Sequence, residues 1–352
     1  MKVAIDKNCI ELIKDFNKYD YIYVFDKEPI EDLITMNVHC IHKDYVNDID
    51  INLTDYDINA FKKAKITEKD WDKISTKEYK FAIIVPNYNN DHGDYNGKTY
   101  LQTCIESILN QTYKNFELIV VDDMSTDTSV ETVEKYKSKE EYIDKIHLVK
   151  NTHKRYNGGS RNAGIDYAKQ YLDCDYICFL DSDDWWLHNE VLEHINRKLY
   201  NHDMMILGAR MLFANNTTYE TLNKYDTYED VFFCINKVWC TAWSRVIRID
   251  KIAYFCEDTL MEDRVWSYKQ ADNIDFNRII NINEVVYCWN RLNTTNSVSI
   301  VRNGIWNASA YCHIGHQLQF LENLKHKEFK SKLEERIKEC IKKVNNNEYQ
   351  QY

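Results

Sequence analysis

Between Lys80 and Trp186 the chain alternates short apolar runs with stretches whose apolar residues recur at helical spacing. The runs are Phe81–Val85, Phe116–Val121, Ile146–Val149 and Tyr176–Leu180, each of strand length and rich in β-branched or aromatic residues. Between them, Tyr100–Leu109 sets Leu101, Cys104, Ile105 and Ile108 on one helical face, and Ser129–Tyr136 reads as a shorter helix. Arg161–Leu172 aligns Ala163, Ile165, Ala168 and Leu172, and one more helix is expected over Asn189–Tyr200. Apolar strands that lack polar alternation need cover on both faces. The pattern therefore predicts an α/β fold: a mostly parallel sheet with right-handed crossovers, flanked by helices.

The flanks read differently. Residues 1–78 form a small α/β module in this reading, with strands Lys2–Ile5, Tyr21–Phe25 and Val38–Ile41 and helices Asn8–Lys18 and Pro29–Met36; its role is not legible. Residues 55–79, rich in Lys and Asp with scattered apolar anchors, are expected to be helix and linker. The main domain is placed at 79–300, divided into 80–200 and 201–300. Residues 301–352 are read as C-terminal helices, of which Lys325–Lys343 is strongly charged. That face suits solvent or a second subunit, with peripheral membrane contact as the next reading.

Composition narrows the partners. The 352 residues are 44% hydrophobic and 29% charged, with a formal net charge of −11, so a surface built to neutralise duplex nucleic acid is disfavoured. No leader-like start and no bilayer-length apolar run is visible, which puts the expectation at a cytoplasmic protein. Eleven cysteines, unpaired in spacing and partly inside apolar runs (Cys178, Cys234, Cys288), read as reduced thiols.

The chemistry gathers in the loops after the apolar runs. They carry Pro86-Asn87-Tyr88-Asn89, then Asp122-Asp123-Met124-Ser125-Thr126-Asp127, then Lys154 to Asn162 with Gly158-Gly159, then Asp181-Ser182-Asp183-Asp184. In parallel sheets ligands bind outside the carboxyl ends of the strands. Asp181 and Asp183 supply hard oxygen ligands suited to Mg²⁺ or Mn²⁺, and share one side if the backbone stays extended. Lys154, Arg155 and Arg161 could face a diphosphate. Each loop also has a plainer use: Asp183 or Asp184 as a helix cap, Asp-Asp-x-Ser-x-Asp as a turn, Gly158-Gly159 as a tight turn before a helix.

In order and spacing, these loops resemble the family 2 inverting glycosyltransferases of the GT-A (Rossmann-like) fold. The matching segments are Val85 to Asn89, Cys104 to Tyr113, Leu118 to Asp127, Gly159 to Gly164 and Phe179 to Trp185. The resemblance implies a UDP-sugar donor, with Asp181 and Asp183 holding Mn²⁺ or Mg²⁺ on the diphosphate. It makes 80–200 the nucleotide-sugar half, where Pro86, Asn87 and Tyr88 border the base and Asp123, beside Asp122, recognises uracil. Arg161 and Asn162, with Asp181 and Ser182, fall near base, ribose and phosphates. It makes 201–300 the acceptor half, in which Trp243 to Ile247 precedes the pair Glu262-Asp263. Asp263 is then the catalytic base and Glu262 its nearest substitute. Tyr287, Trp289, Arg291 and Ser297 to Ser299 resemble, more loosely, a segment near the donor phosphates. The implied activity is transfer of a hexose or N-acetylhexosamine to a hydroxyl of a glycan, glycolipid or similar acceptor, as in polysaccharide biosynthesis. Loop 91–98 lengthens the first strand-to-helix connection and is read as a surface excursion, with acceptor contact as the alternative. Two other classes stand against this: an aspartyl-phosphate phosphatase using Asp181 and Asp183, and a glycan-binding protein without turnover.

Overall fold

A computed structural model describes residues 2–6, 21–25, 38–41, 77–200, 202–212, 218–221, 241–258, 262–292, 314–315, 318, 321 and 330–346. The chain divides into two compact units, Met1–Lys77 with His194–Tyr200, and Glu78–Glu193 with Asn201–Tyr352. In the first, β1 (Lys2–Asp6), β2 (Tyr21–Phe25) and β3 (Val38–Ile41) pair in parallel in that order. The helices expected within residues 8–36, and the helix and linker expected over 55–79, lie outside the described residues apart from 77–79.

The second unit is built on one sheet. β4 (Phe81–Asn87), β5 (Phe116–Asp122), β6 (Ile146–Lys150) and β7 (Tyr176–Phe179) are parallel and ordered β6-β5-β4-β7. Successive strands step outward from β4 and then the order reverses to β7, which opens a crevice between the loops that follow β4 and β7. Beyond β7 the sheet turns mixed. β11 (Arg245–Arg248) runs antiparallel to β7 and to β9 (Met204–Leu212); β12 (Ile279–Asn290) runs parallel to β9, and the short β8 (Trp185–Trp186) closes the far edge. β10 (Thr218–Thr221) pairs with β9. β4, β5 and β7 are largely buried on both faces, with Ile83, Ile84, Val85, Leu118, Ile119 and Val120 wholly enclosed, whereas β6 at the edge fully buries only Ile146.

The helices follow the periodicity. α1 (Tyr100–Leu109) starts at a capping box in which the Thr99 hydroxyl accepts from Gln102 N and the Gln102 side chain accepts from Thr99 N, worth about 1 kcal/mol. α2 spans Ser129–Lys137, α4 Val191–Leu199, α5 Glu262–Ala271 and α6 Lys330–Asn345. α3 (Asn157–Tyr171) begins four residues before the predicted start at Arg161. The tight turn falls on Tyr156, at φ 79°, and the two glycines sit in the first helical turn instead. A Cβ on Gly159 would lie 1.9 Å from the Lys154 carbonyl oxygen, and one on Gly158 2.4 Å from that of Cys256. The glycines permit close backbone approach.

Loop 91–98 is an ordered excursion. Asn96 (φ 57°) and Gly97 (φ 79°) turn a two-residue hairpin between Tyr95 and Lys98, and the Tyr95 ring leans on Trp185 with centroids 4.3 Å apart. Asp91 anchors its base by accepting from the hydroxyls of Thr99, Thr128 and Thr132, each at 2.7 Å. Among the described residues, no helix is long and apolar enough to cross a membrane. The described cysteines, Cys104, Cys174, Cys178, Cys256 and Cys288, are buried free thiols, in keeping with the reading from spacing.

Candidate active site at the strand ends

The crevice between β4 and β7 is bridged at its floor, where the Asn90 amide donates to the Ser182 hydroxyl at 2.7 Å. After β7 the chain does not stay extended. Asp184 N donates to the Asp181 carbonyl at 2.9 Å, closing a turn, so strand alternation does not set how Asp181 and Asp183 are placed. Asp181 and Asp183 are half-buried; Ser182 and Asp184 are buried. Asp184 caps no helix: its carboxylate accepts from Tyr287 Oη at 2.5 Å and from Asn290 N at 2.7 Å. Burial, then the charges of Asp183 and Asp181, push that carboxyl well above its usual range.

Arg161 is the centre of the site. It enters from α3 with its side chain 1% exposed, and its Nη2 donates to Asp181 Oδ1 at 2.7 Å. Its Nη1 donates to Glu262 Oε1 at 2.7 Å and to Asp263 Oδ1 at 3.3 Å, while the Phe255 ring lies 5.3 Å from the guanidinium carbon. One guanidinium thus gathers carboxylates from the turn after β7 and from the first turn of α5. Burial works to lower its pKa, but Asp181, Asp263 and Glu262 outweigh that and raise it. Glu262 is pushed upward by burial and then by Asp263, against the pull of Arg161. Asp263 is raised chiefly by burial, with Arg161 opposing. The pair differ in access: the Glu262 side chain is 7% exposed and that of Asp263 24%.

A second pocket wall forms after β5 and β6. Asp123 is buried, accepting from Asn151 Nδ2 at 2.7 Å and from Tyr156 N at 2.8 Å. Asp122 accepts from Ser125 N in a turn, and its carbonyl accepts from Asn151 N. Around Asp123, Tyr88, Met124 and Tyr156 are exposed, and the Arg155 guanidinium stands 5.0 Å from the Tyr88 ring centre. Aromatic faces around a buried carboxylate suit a planar, hydrogen-bonding base.

The residues singled out from sequence therefore separate. Tyr88 opens to solvent at the crevice, and Asp181, Asp183 and Asp263 are half-buried there. Pro86 and Asn87 end β4 in the buried wall, with Asn87 Nδ2 donating to the Ser125 hydroxyl. Ser182 and Asn162 are turned inward: the Asn162 amide donates to the Phe255 carbonyl and to Glu257, and its carbonyl accepts from Phe255 N. Arg161 meets carboxylates rather than an open phosphate site. Sequence reasoning missed Asn151, although it follows β6 directly, where the strand-end rule points. It also missed Asn290, whose contacts arise across 106 residues. Residues 297–299 lie outside the described residues.

A divalent cation fits the turn after β7. Its donors are the hard carboxylate oxygens of Asp181 and Asp183 at a strand end; burial first, and then the charge of Asp184 ahead of these donors, raises the neighbouring Cys104 and Tyr287. Among the described residues no group of three or more His, Cys, Asp or Glu is arranged to hold a metal by itself. Two carboxylates plus ligand oxygens is the arrangement usual for Mg²⁺ on phosphates.

The fold is similar to the GT-A fold. Staphylococcus aureus TarS 1-349, crystallised in complex with UDP-GlcNAc, superposes with a TM-score of 0.56 at 20% identity, covering 72% of this chain and 70% of that one. Residues 82–255 match the sequence model of Glycosyl transferase family 2, and over this stretch the chain belongs to that family. The Escherichia coli UDP-Glc:alpha-D-GlcNAc-diphosphoundecaprenol beta-1,3-glucosyltransferase WfgD is 33% identical over 140 residues, which is 40% of this chain and 49% of the relative. The amylovoran biosynthesis glycosyltransferase AmsB of Erwinia amylovora is 34% identical over 121 residues, 34% of this chain and 36% of the relative. The chain thus spans half or less of the length of these relatives. None of these matches is a phosphatase.

Proposed function

We propose that the protein transfers a sugar from a UDP-sugar to an acceptor hydroxyl, with inversion at the anomeric carbon. The observation that carries this reading is Arg161 joining Asp181 to Glu262 and Asp263, since it brings a donor-side carboxylate and a base candidate to one point. A relative named as a UDP-Glc glucosyltransferase, and a structural neighbour crystallised with UDP-GlcNAc, support the choice of nucleotide.

In this reading uracil lies against Tyr88 and hydrogen-bonds to Asp123. Asp181 and Asp183 hold Mn²⁺ or Mg²⁺, which supplies positive charge to the departing diphosphate. Asp263 takes the proton from the attacking hydroxyl. Its greater access favours it over Glu262, which Arg161 and burial close off; both carboxyls are raised, so basicity does not separate them. Arg161 holds the two carboxylate groups in register. The acceptor is expected to be a glycan or glycolipid hydroxyl. Measuring UDP release across a panel of UDP-sugars, with and without Mn²⁺, tests the reading. Metal-dependent release with at least one donor is expected; UDP binding with no release from any donor and acceptor mixture would favour a glycan-binding role instead.

A further inference from the structure

The turn that carries Asp181 and Asp183 is held from a distant strand. Tyr287 Oη, at the end of β12, accepts from Asp181 N at 3.3 Å while donating to Asp184. Three residues on, Asn290 N donates to the other Asp184 oxygen, and Asn290 Nδ2 donates to the Asp183 carbonyl at 2.9 Å. Both ends of the turn are therefore tied to β12 by four hydrogen bonds. The tie is itself rigid. Tyr287 is wholly buried and its ring stacks on Trp243 with centroids 4.4 Å apart and planes 16° from parallel. The backbone on either side is fixed too, because Tyr287 and Cys288 pair with Trp186 and Trp185.

A turn needing only to reverse the chain would not require a buried carboxylate next to two others. Burying Asp184 is costly and is compensated by the Tyr287 and Asn290 donors. What the arrangement obtains is a fixed backbone beneath Asp181 and Asp183. From this we infer that Tyr287 and Asn290, acting through Asp184, are positioning residues that hold the Asp181 and Asp183 carboxylates ready for the cation. The inference rests on the reading of those two carboxylates as cation ligands. Partners of this kind, one step removed from a metal, change its affinity about 10–100-fold when lost.

The test is Mn²⁺ binding in the presence of UDP, followed by calorimetry or by the Mn²⁺ spin-resonance signal, for the wild type, Tyr287→Phe and Asn290→Ala. UDP affinity in excess EDTA and the melting temperature are measured alongside. The expected result is a half-saturating Mn²⁺ concentration raised about 10–100-fold in Tyr287→Phe, and raised in Asn290→Ala, with metal-free UDP affinity unchanged. Asn290→Ala removes the bond to the Asp183 carbonyl, with those to Leu292 N and Tyr100, and leaves the Tyr287–Trp243 stack, so it serves if Tyr287→Phe does not fold. Variants that melt earlier yet bind Mn²⁺ like the wild type would overturn the inference, leaving a structural tie. A wild type whose UDP binding is indifferent to Mn²⁺ would overturn the cation reading beneath it, and the inference with it.

Discussion

Arg161 faces three carboxylates with one charge, and its Nε is buried without a partner. Such a group is retained where geometry matters more than stability, because buried ion pairs rarely gain more than their desolvation costs. Removing it should leave Glu262, and the less buried Asp181 and Asp263, uncompensated. We expect Arg161→Met to destabilise the protein by about 3 kcal/mol, read from chemical denaturation. Arg161→Lys should recover part of that stability and little activity, since an ammonium cannot fork between Asp181 and the α5 pair. Equal stability of Arg161→Met and the wild type would show the carboxylates already neutral. At the pocket wall, Asp123→Ala should erode a preference for UDP over GDP and ADP. It also loosens Tyr156 N and Asn151, so calorimetry should show weaker UDP binding throughout; unchanged discrimination would place the base elsewhere.

At the level of elements, the loop after β6, the middle of α3 and the segment leading to α5 meet at His153. Its ring lies 2.8 Å from Glu257 and 2.9 Å from Asp166. Burial works to lower its pKa, but those two carboxylates outweigh it and the net shift is upward. A pKa raised by folding contributes stability fully present below the unfolded value of about 6.5 and lost as pH rises through the higher folded value. The melting temperature of His153→Gln should therefore fall short of the wild type at pH 6 and approach it at pH 9. A deficit of the same size at both values would mean that the ring acts by packing alone.

The elements themselves were legible to different degrees. Phe81, Phe116, Ile146 and Tyr176 open apolar runs, broken only by Glu117 and His147, from which the four parallel strands could be read directly, as could α1 from its spacing. β9 and β12 were not read, although Met204 to Leu212 has the composition of a strand; the long bulged β12 breaks alternation at Asn281–Val285. The start of α3 was misjudged because two glycines signal a turn when nothing shows the carbonyls they must approach. Chemically bearing loops were legible for the same reason as the strands. Their inward or outward direction was not: Asp184, Asn162 and Ser182 are turned in by partners 92 to 106 residues away, a property of packing rather than of spacing.

At the scale of the molecule, a parallel half that carries Tyr88, Asp123, Asp181 and Asp183 is joined through one sheet to a mixed half that carries Glu262, Asp263 and Tyr287. The account assigns the donor to the first and the base to the second, so their losses should be separable. Asp183→Asn should weaken metal-assisted UDP binding and turnover together. Asp263→Asn keeps the shape of the side chain and removes its basicity, which makes it the most direct measurement of the account. It should bind UDP and Mn²⁺ nearly as the wild type does while kcat falls by about a hundred- to ten-thousand-fold, without recovery at higher donor concentration. An Asp263→Asn enzyme that keeps most of its kcat at saturating donor and acceptor would contradict it.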